Sequence, residues 1–146
     1  MIDREKPEQY PPNVQAILKR PAPAAAWLGQ ELLSVDVEKG EAEIAYTLGE
    51  AHFNKYKAIH GGVTAAIMDD VMSVAAGLVA QWGEITPTLE MKVSYLATAR
   101  AGRLVARANV IRRGKTVMFL EATLSDETGK ALATGSCTVM IAELKK

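Results

Sequence analysis

Residues 61–82 read GGVTAAIMDDVMSVAAGLVAQW, a run of small and apolar residues interrupted by two adjacent aspartates. The run is long enough for a helix to cross a bilayer. Two aspartates near the middle of such a span would each cost about 2.5–3.5 kcal/mol on insertion scales. The run is therefore read as a helix, from about Gly62 to Gln81, buried inside a soluble protein. On an ideal wheel Val63, Ile67, Val74 and Leu78 form one large apolar stripe. Asp69 falls on another side with Ala65, Ala66, Ser73, Ala76 and Ala80. Small residues let a second surface approach closely, so that side is a candidate subunit interface. Asp70 falls nearer the large stripe, and periodicity alone does not decide which carboxylate is functional.

Upstream of this helix, GEAHFNKYKAIHGG (49–62) is a polar loop. Before it, ELLSVDVE (31–38) and EAEIAYTL (41–48) read as strands joined at a turn-like KGE. Downstream, TLEMKVSYL (88–96) alternates, with Leu89, Met91, Val93 and Tyr95 on one face. RLVARANVI (103–111) places Leu104, Ala106, Ala108 and Val110 together, and TVMFLEATL (116–124) and ALATGSCTVMI (131–141) complete the set. The order is β-β-α-β-β-β-β, preceded by a short N-terminal helix within PPNVQAILK. Short turns favour an antiparallel sheet, curled about the one long helix in an α+β architecture. Residues 1–29 form the helical, proline-rich lead-in, and 30–146 a single domain.

Composition narrows the function. Seventeen basic residues balance seventeen acidic ones among 146, which argues against non-specific nucleic-acid binding. MIDREKPEQYPP at the start lacks the apolar core of a signal peptide, so a cytoplasmic protein is expected. The single cysteine, Cys137, lies in an apolar alternating run and reads as a buried structural thiol. His52 and His60 are eight apart with one distant cysteine, so no metal site is expected. Gly-x-Ser-x-Gly, phosphate-loop and dinucleotide motifs are missing from the sequence.

The glycines at 61 and 62 leave free N–H groups at an electropositive helix start, where a carbonyl can approach the bare backbone. Such donors can hold the oxyanion of a tetrahedral intermediate, and one good donor is worth about 2.7–4 kcal/mol of barrier. A carboxylate facing that carbonyl can activate water or attack directly. Gly61 and Asp69 lie about 12–13 Å apart along one helix, too far to serve one carbonyl carbon. Asp69 would then act on a substrate held by another subunit's Gly61. Taken singly, His60 reads as an ordinary loop histidine, Thr88 as a strand threonine, and Arg112, Arg113 and Lys115 as a solvated turn.

Together these residues resemble the hotdog-fold acyl-CoA thioesterases of the phenylacetic-acid-degradation (PaaI-like) group. The resemblance rests on Asn54 six residues before His60-Gly61-Gly62, Asp69 nine residues after His60, and the strands PTLEMKVSYLATA and RRGKTVMFLEATLSDETGKALATGS. It implies a hotdog fold and hydrolysis of an acyl- or aryl-acyl-CoA in a homo-oligomer, at least a dimer and commonly a tetramer, without a cofactor. Asn54 and Gly61 would contact the thioester oxygen, and His60 would lie near the sulfur. Asp69 and Thr88 of the partner would orient water, while Asp70 would bond a polar partner that the sequence does not name. Coenzyme A contacts would come from Gly62, from Tyr95 to Arg100, and from Arg112, Arg113, Gly114 and Lys115. Pocket depth would depend on Met68, Met72, Leu78 and Trp82. The alternatives are a non-catalytic acyl-CoA-binding module, a hotdog hydratase or dehydratase, and an interaction protein whose helix only dimerises.

Overall fold

The computed structural model describes residues 6–19 and 22–143. Two short helices, α1 (Pro12–Lys19) and α2 (Pro23–Trp27), precede strands β1 (Gln30–Asp36) and β2 (Glu41–Leu48). The long helix α3 (Gly61–Val79) follows. Strands β3 (Glu84–Ile85), β4 (Thr88–Tyr95), β5 (Gly102–Arg113), β6 (Val117–Ser125), β7 (Ala131–Met140) and β8 (Ala142–Glu143) complete the chain. The expected order holds for the long elements. Among the described residues the lead-in contains two α-helices rather than one, after a 3-10 turn at Pro7–Gln9, because Pro23 starts a second helix where its fixed φ suits the first turn. The two-residue strands β3 and β8, too short for a periodic signal, pair with each other.

Six strands form one sheet in the order β1-β2-β5-β6-β7-β4, every neighbouring pair antiparallel. Helix α3 packs against β2, β4, β5, β6 and β7, so the sheet wraps it. The apolar alternation explains this. Leu104, Ala106 and Ala108 of β5 and Met118, Leu120 and Leu124 of β6 are buried. The membrane-length helix is thus a core helix. Burying each large side chain is worth about 1.5–3 kcal/mol.

The face that α3 turns inward differs from the wheel. Thr64, Ile67, Met68, Val71, Met72, Ala75, Ala76 and Leu78 are buried, while Val63 and Val74 are only half-buried. Methionines carry much of the contact, so Met68, Met72 and Leu78 fill the core rather than line a pocket. Trp82 is exposed beyond the helix end. The opposite side, with Ala65, Ala66, Asp69, Asp70 and Ser73, is half-buried in the single chain.

Helix α1 packs on α3 with Val14 fully buried. The Asn13 side chain donates to the carbonyls of Gly77 (2.8 Å), Leu78 (3.3 Å) and Ala80 (2.9 Å), capping the orphan carbonyls at the end of α3. A side chain at Gly77 would meet Ile17 at 3.1 Å, so glycine sets the closeness of that crossing.

Strand β4 departs from its expected alternation. Its pairing with β7 slips between Thr88 and Glu90, leaving Leu89 in a bulge. Met91 and Val93 face the core side, while Leu89 and Tyr95 are exposed. A bulge re-aims a side chain, and here it affects Thr88, directly before it.

Candidate functional site

The first half of the site is built at the start of α3. The Oδ1 of Asn54 accepts the backbone N–H groups of Tyr56 (2.8 Å) and Ala58 (3.2 Å). Two N–H donors on one amide atom identify it as the oxygen, so the Asn54 NH2 group is left to donate elsewhere. Its main-chain N–H donates to the Ala58 carbonyl and its carbonyl accepts the Lys57 N–H, closing a tight loop with Lys57 at a φ of 59°. Asn54 therefore shapes the loop and keeps a donor in reserve.

His60 is the residue before the first turn of α3, and its Nδ1 accepts the N–H of Gly62 at 3.0 Å. That bond leaves the proton of the neutral ring on Nε2. It also takes up the Gly62 N–H, so Gly62 shapes the helix start rather than offering a donor. The Gly61 N–H has no partner among the described residues, and it points from a helix N-terminus where partial positive charge accumulates. Tyr95 donates its hydroxyl to the Gly61 carbonyl at 2.9 Å, and its ring would lie 3.6 Å from a side chain placed there. Asn54, Gly61, Thr64, Tyr95 and Arg100 line one cleft of about 610 Å³. His52, buried nearby, is structural: its Nδ1 accepts from the Gly49 N–H and its Nε2 bonds the Trp27 carbonyl.

The second half lies further along α3. Thr88 donates its hydroxyl to Asp69 Oδ1 at 2.9 Å, bringing the bulged start of β4 onto the helix. Asp69 Oδ2 has no partner among the described residues. Asp69 and Thr88 therefore come together within one chain, as do Asn54, His60 and Gly61. The two groups stay apart, because eight residues of continuous helix separate Gly61 from Asp69 by roughly 12 Å.

Asp70 has the partners that the sequence did not name. Its Oδ2 accepts from Tyr46 at 2.6 Å and from Gln30 at 2.7 Å. Burial pushes its carboxyl above the usual range, opposed by the bonds from Tyr46 and Gln30, while the nearby Asp69 charge adds to the rise. Burial, and then the Asp70 charge, raise Tyr46 far above an ordinary phenol. Neither strand residue carried a signal, since a tyrosine and a glutamine in strands look like packing and surface.

The basic turn is divided. Arg113 holds Glu84 at 2.6 Å in a pair that is only partly exposed. Arg112, Lys115 and Arg100 are exposed and have no partner among the described residues. Gly114 donates its N–H to the Val117 carbonyl at 2.8 Å, and a side chain there would meet that oxygen at 3.0 Å. Gly114 is thus demanded by the close turn. Cys137 is buried, and its thiol is pushed up to about 11 by burial and then by the charges of Asp69 and Glu90, so it is no nucleophile at neutral pH.

The family model of the thioesterase superfamily matches residues 56–133. The 1,4-dihydroxy-2-naphthoyl-CoA hydrolase of Listeria monocytogenes is 31% identical over 82% of this chain and 95% of its own length. Acyl-coenzyme A thioesterase 13 of Homo sapiens is 30% identical over 71% of this chain and 75% of its own. Among solved structures, a phenylacetic acid degradation-related protein from Ralstonia eutropha superposes with a TM-score of 0.79 at 35% identity. That match covers 84% of this chain and 92% of that one.

Proposed function

The chain belongs to the thioesterase superfamily, and on that premise we propose that it hydrolyses acyl-CoA thioesters to the free acid and coenzyme A. The observation that carries the reading is the pairing of two half-sites on one helix. One end offers an unpartnered Gly61 N–H beside the Asn54 amide, and the other offers Asp69 with one oxygen held by Thr88 and one free.

The thioester carbonyl sits at the Gly61 N–H and the Asn54 NH2 of one protomer. Asp69 Oδ2 of a second protomer takes a proton from water as the water oxygen adds to that carbonyl. Negative charge grows on the carbonyl oxygen, where the two donors strengthen their hold. Collapse breaks the carbon–sulfur bond, and the departing thiolate takes the proton that Asp69 removed from water, while the His60 Nε2–H donates a hydrogen bond to the sulfur. Water and the chain's own groups suffice, so no cofactor is needed. Thr88 fixes the rotamer of Asp69 and leaves a single oxygen for the water.

Two copies are required because one helix cannot bring Gly61 and Asp69 to the same atom. Exposed Leu89 and Leu96 along and just beyond the edge strand β4 support a second copy approaching there. Exposed Ile111, Phe119 and Met140 leave further apolar surface for pairing dimers into a tetramer in the cytoplasm. Of the cations expected at the phosphates of coenzyme A, Arg100, Arg112 and Lys115 have no partner among the described residues and are available to bind them. A hydratase reading would need His60 as an acid–base group, whereas its Nδ1 is spent on the Gly62 N–H.

The test is release of free thiol from a panel of short, medium, long and aromatic acyl-CoAs, by wild type and by Asp69→Asn. Wild-type turnover of at least one ester, lost in the variant, is expected. No thiol from any ester would end the proposal.

A further inference from the structure

Asp70 lies beside the catalytic candidate yet turns away from it, and a second cavity opens at that point. A space of about 360 Å³ lies between the lead-in helices and the outer side of α3, and Asp69 is not among its lining residues. Ile17 of α1, Ala25 of α2, and Val74 and Gly77 of α3 give it apolar walls, and Gln30, Asp70 and Ser73 are the polar groups. The size suits one small organic group.

The chemistry of the polar end is specific. Tyr46 and Gln30 both donate to Asp70 Oδ2, which fixes the carboxylate. Asp70 Oδ1 has no partner among the described residues. Among them no polar side-chain atom is both buried and unsatisfied, so Oδ1 is accessible, and Asp70 lines this cavity. Among the described residues no lysine or arginine lines the space. An acceptor held rigidly at the edge of an apolar cavity recognises a neutral donor, such as a hydroxyl, and repels a carboxylate.

Position ties the cavity to the reaction. Ser73 lies one helical turn beyond Asp69, and Gly77 roughly 12 Å beyond it. An acyl group whose carbonyl reaches Asp69 can therefore extend along α3 of the same protomer into this space. We propose that the cavity between α1, α2 and α3 is the acyl-group pocket, and that Asp70 selects acyl groups carrying a hydroxyl. This rests on the thioesterase reading and adds to it a residue that determines specificity.

The experiment compares kcat/KM for benzoyl-CoA and phenylacetyl-CoA with their monohydroxylated and monocarboxylated ring isomers, in wild type, Asp70→Asn and Val74→Phe. In wild type at least one hydroxylated isomer should exceed its parent by about tenfold or more, since a site with a buried acceptor rejects the analogue lacking the donor. Asp70→Asn should reverse the preference. Tyr46 and Gln30 would hold the amide oxygen, presenting NH2 to the cavity, so the hydroxyl advantage disappears and carboxylated isomers gain. Val74→Phe should fill the space and lower kcat/KM for aryl esters about tenfold relative to acetyl-CoA.

Hydroxyl ratios within about threefold of unity in wild type, or an unaltered ratio in Asp70→Asn, would overturn the assignment. Should Asp70→Asn not fold, the wild-type ratios and the size selectivity of Val74→Phe decide it alone. Should no CoA ester be cleaved at all, the thioesterase reading fails separately. Calorimetric binding of the free hydroxybenzoic and benzoic acids to wild type and Val74→Phe then decides the cavity: tighter hydroxy-acid binding, weakened in Val74→Phe, supports it, and equal binding overturns it.

Discussion

The two flanks of α3 carry adjacent carboxylates in contrasting settings. On one flank Asp69 accepts a single bond from Thr88 at the mouth of a bulge and keeps one oxygen free. On the other, Asp70 accepts from Tyr46 and Gln30 on one oxygen and is lifted by burial. One residue of helical rotation, about 100°, separates a group held by the start of β4 alone from one locked to β1 and β2. The lesson is that burial cost does not identify the reactive carboxylate. The more deeply embedded of the two is the one whose Oδ2 is already held by two donors from the sheet.

The strongest way to break this contrast is to neutralise each carboxylate in turn. Asp69→Asn should lower kcat by 10²-fold or more, the range expected for loss of a general base. Asp70→Asn should leave far more turnover on the better of its substrates. If steady-state kinetics show Asp70→Asn to be the inactive variant, the assignment of roles is reversed.

Complementation tests whether the flank of Asp69 faces a partner. Gly61→Val should block the carbonyl site, and Asp69→Asn the base, so each alone is inactive. After subunit exchange about half the dimers are mixed, and each has one intact site of two, so activity should return to roughly a quarter of wild type. No recovery, with exchange verified by mass spectrometry, would place both residues of each site in one chain.

Thr88 sharpens the same comparison at smaller amplitude. Thr88→Ala should lower kcat about tenfold with little effect on KM, and Thr88→Ser should restore most of it, because the hydroxyl rather than the methyl holds Asp69. Equal kcat in all three proteins would make Thr88 an ordinary strand residue. The basic turn should divide similarly. Arg112→Ala should raise KM several-fold at low salt, an effect that shrinks as salt screens the charge. Arg113→Ala should instead cost about 0.5–1 kcal/mol of stability by freeing Glu84.

The smallest effect is on stability against pH. The folded carboxyl of Asp70 is raised above its unfolded value, so the fold binds this proton more tightly. Its contribution is therefore greatest below the unfolded pKa near 3.9 and is lost as pH rises through the raised folded value. Asp70→Asn carries no such charge, so its melting temperature relative to wild type should rise between acid and neutral pH. A difference that is flat with pH, or falls, would contradict the burial of Asp70.

Much of the fold was legible because its signals are local. Leucines, valines and alanines at every second position made the strands, and an apolar run too polar for lipid made the core helix. The spacing of Asn54, His60, Gly61 and Asp69 was equally visible. Local patterning failed where pairing intervenes. The bulge at Leu89 re-aims Thr88 and breaks the expected face of β4, because strand register is set by β7 rather than by β4's own sequence. The buried side of α3 shifted toward Met68 and Met72 for a similar reason: the curved sheet and α1 choose which stripe they cover.

What the sequence by itself determined is the alternation of elements, the helix start at His60 and the separation of Gly61 from Asp69, all consequences of covalent order and helical rise. Only the tertiary structure decided which donor remains free and which charge is held. The Gly62 N–H goes to His60, Arg113 goes to Glu84, and Asp70 goes to Tyr46 and Gln30. The last two depend on groups 24 to 40 residues apart in the chain meeting within hydrogen-bond reach, which no local spacing encodes.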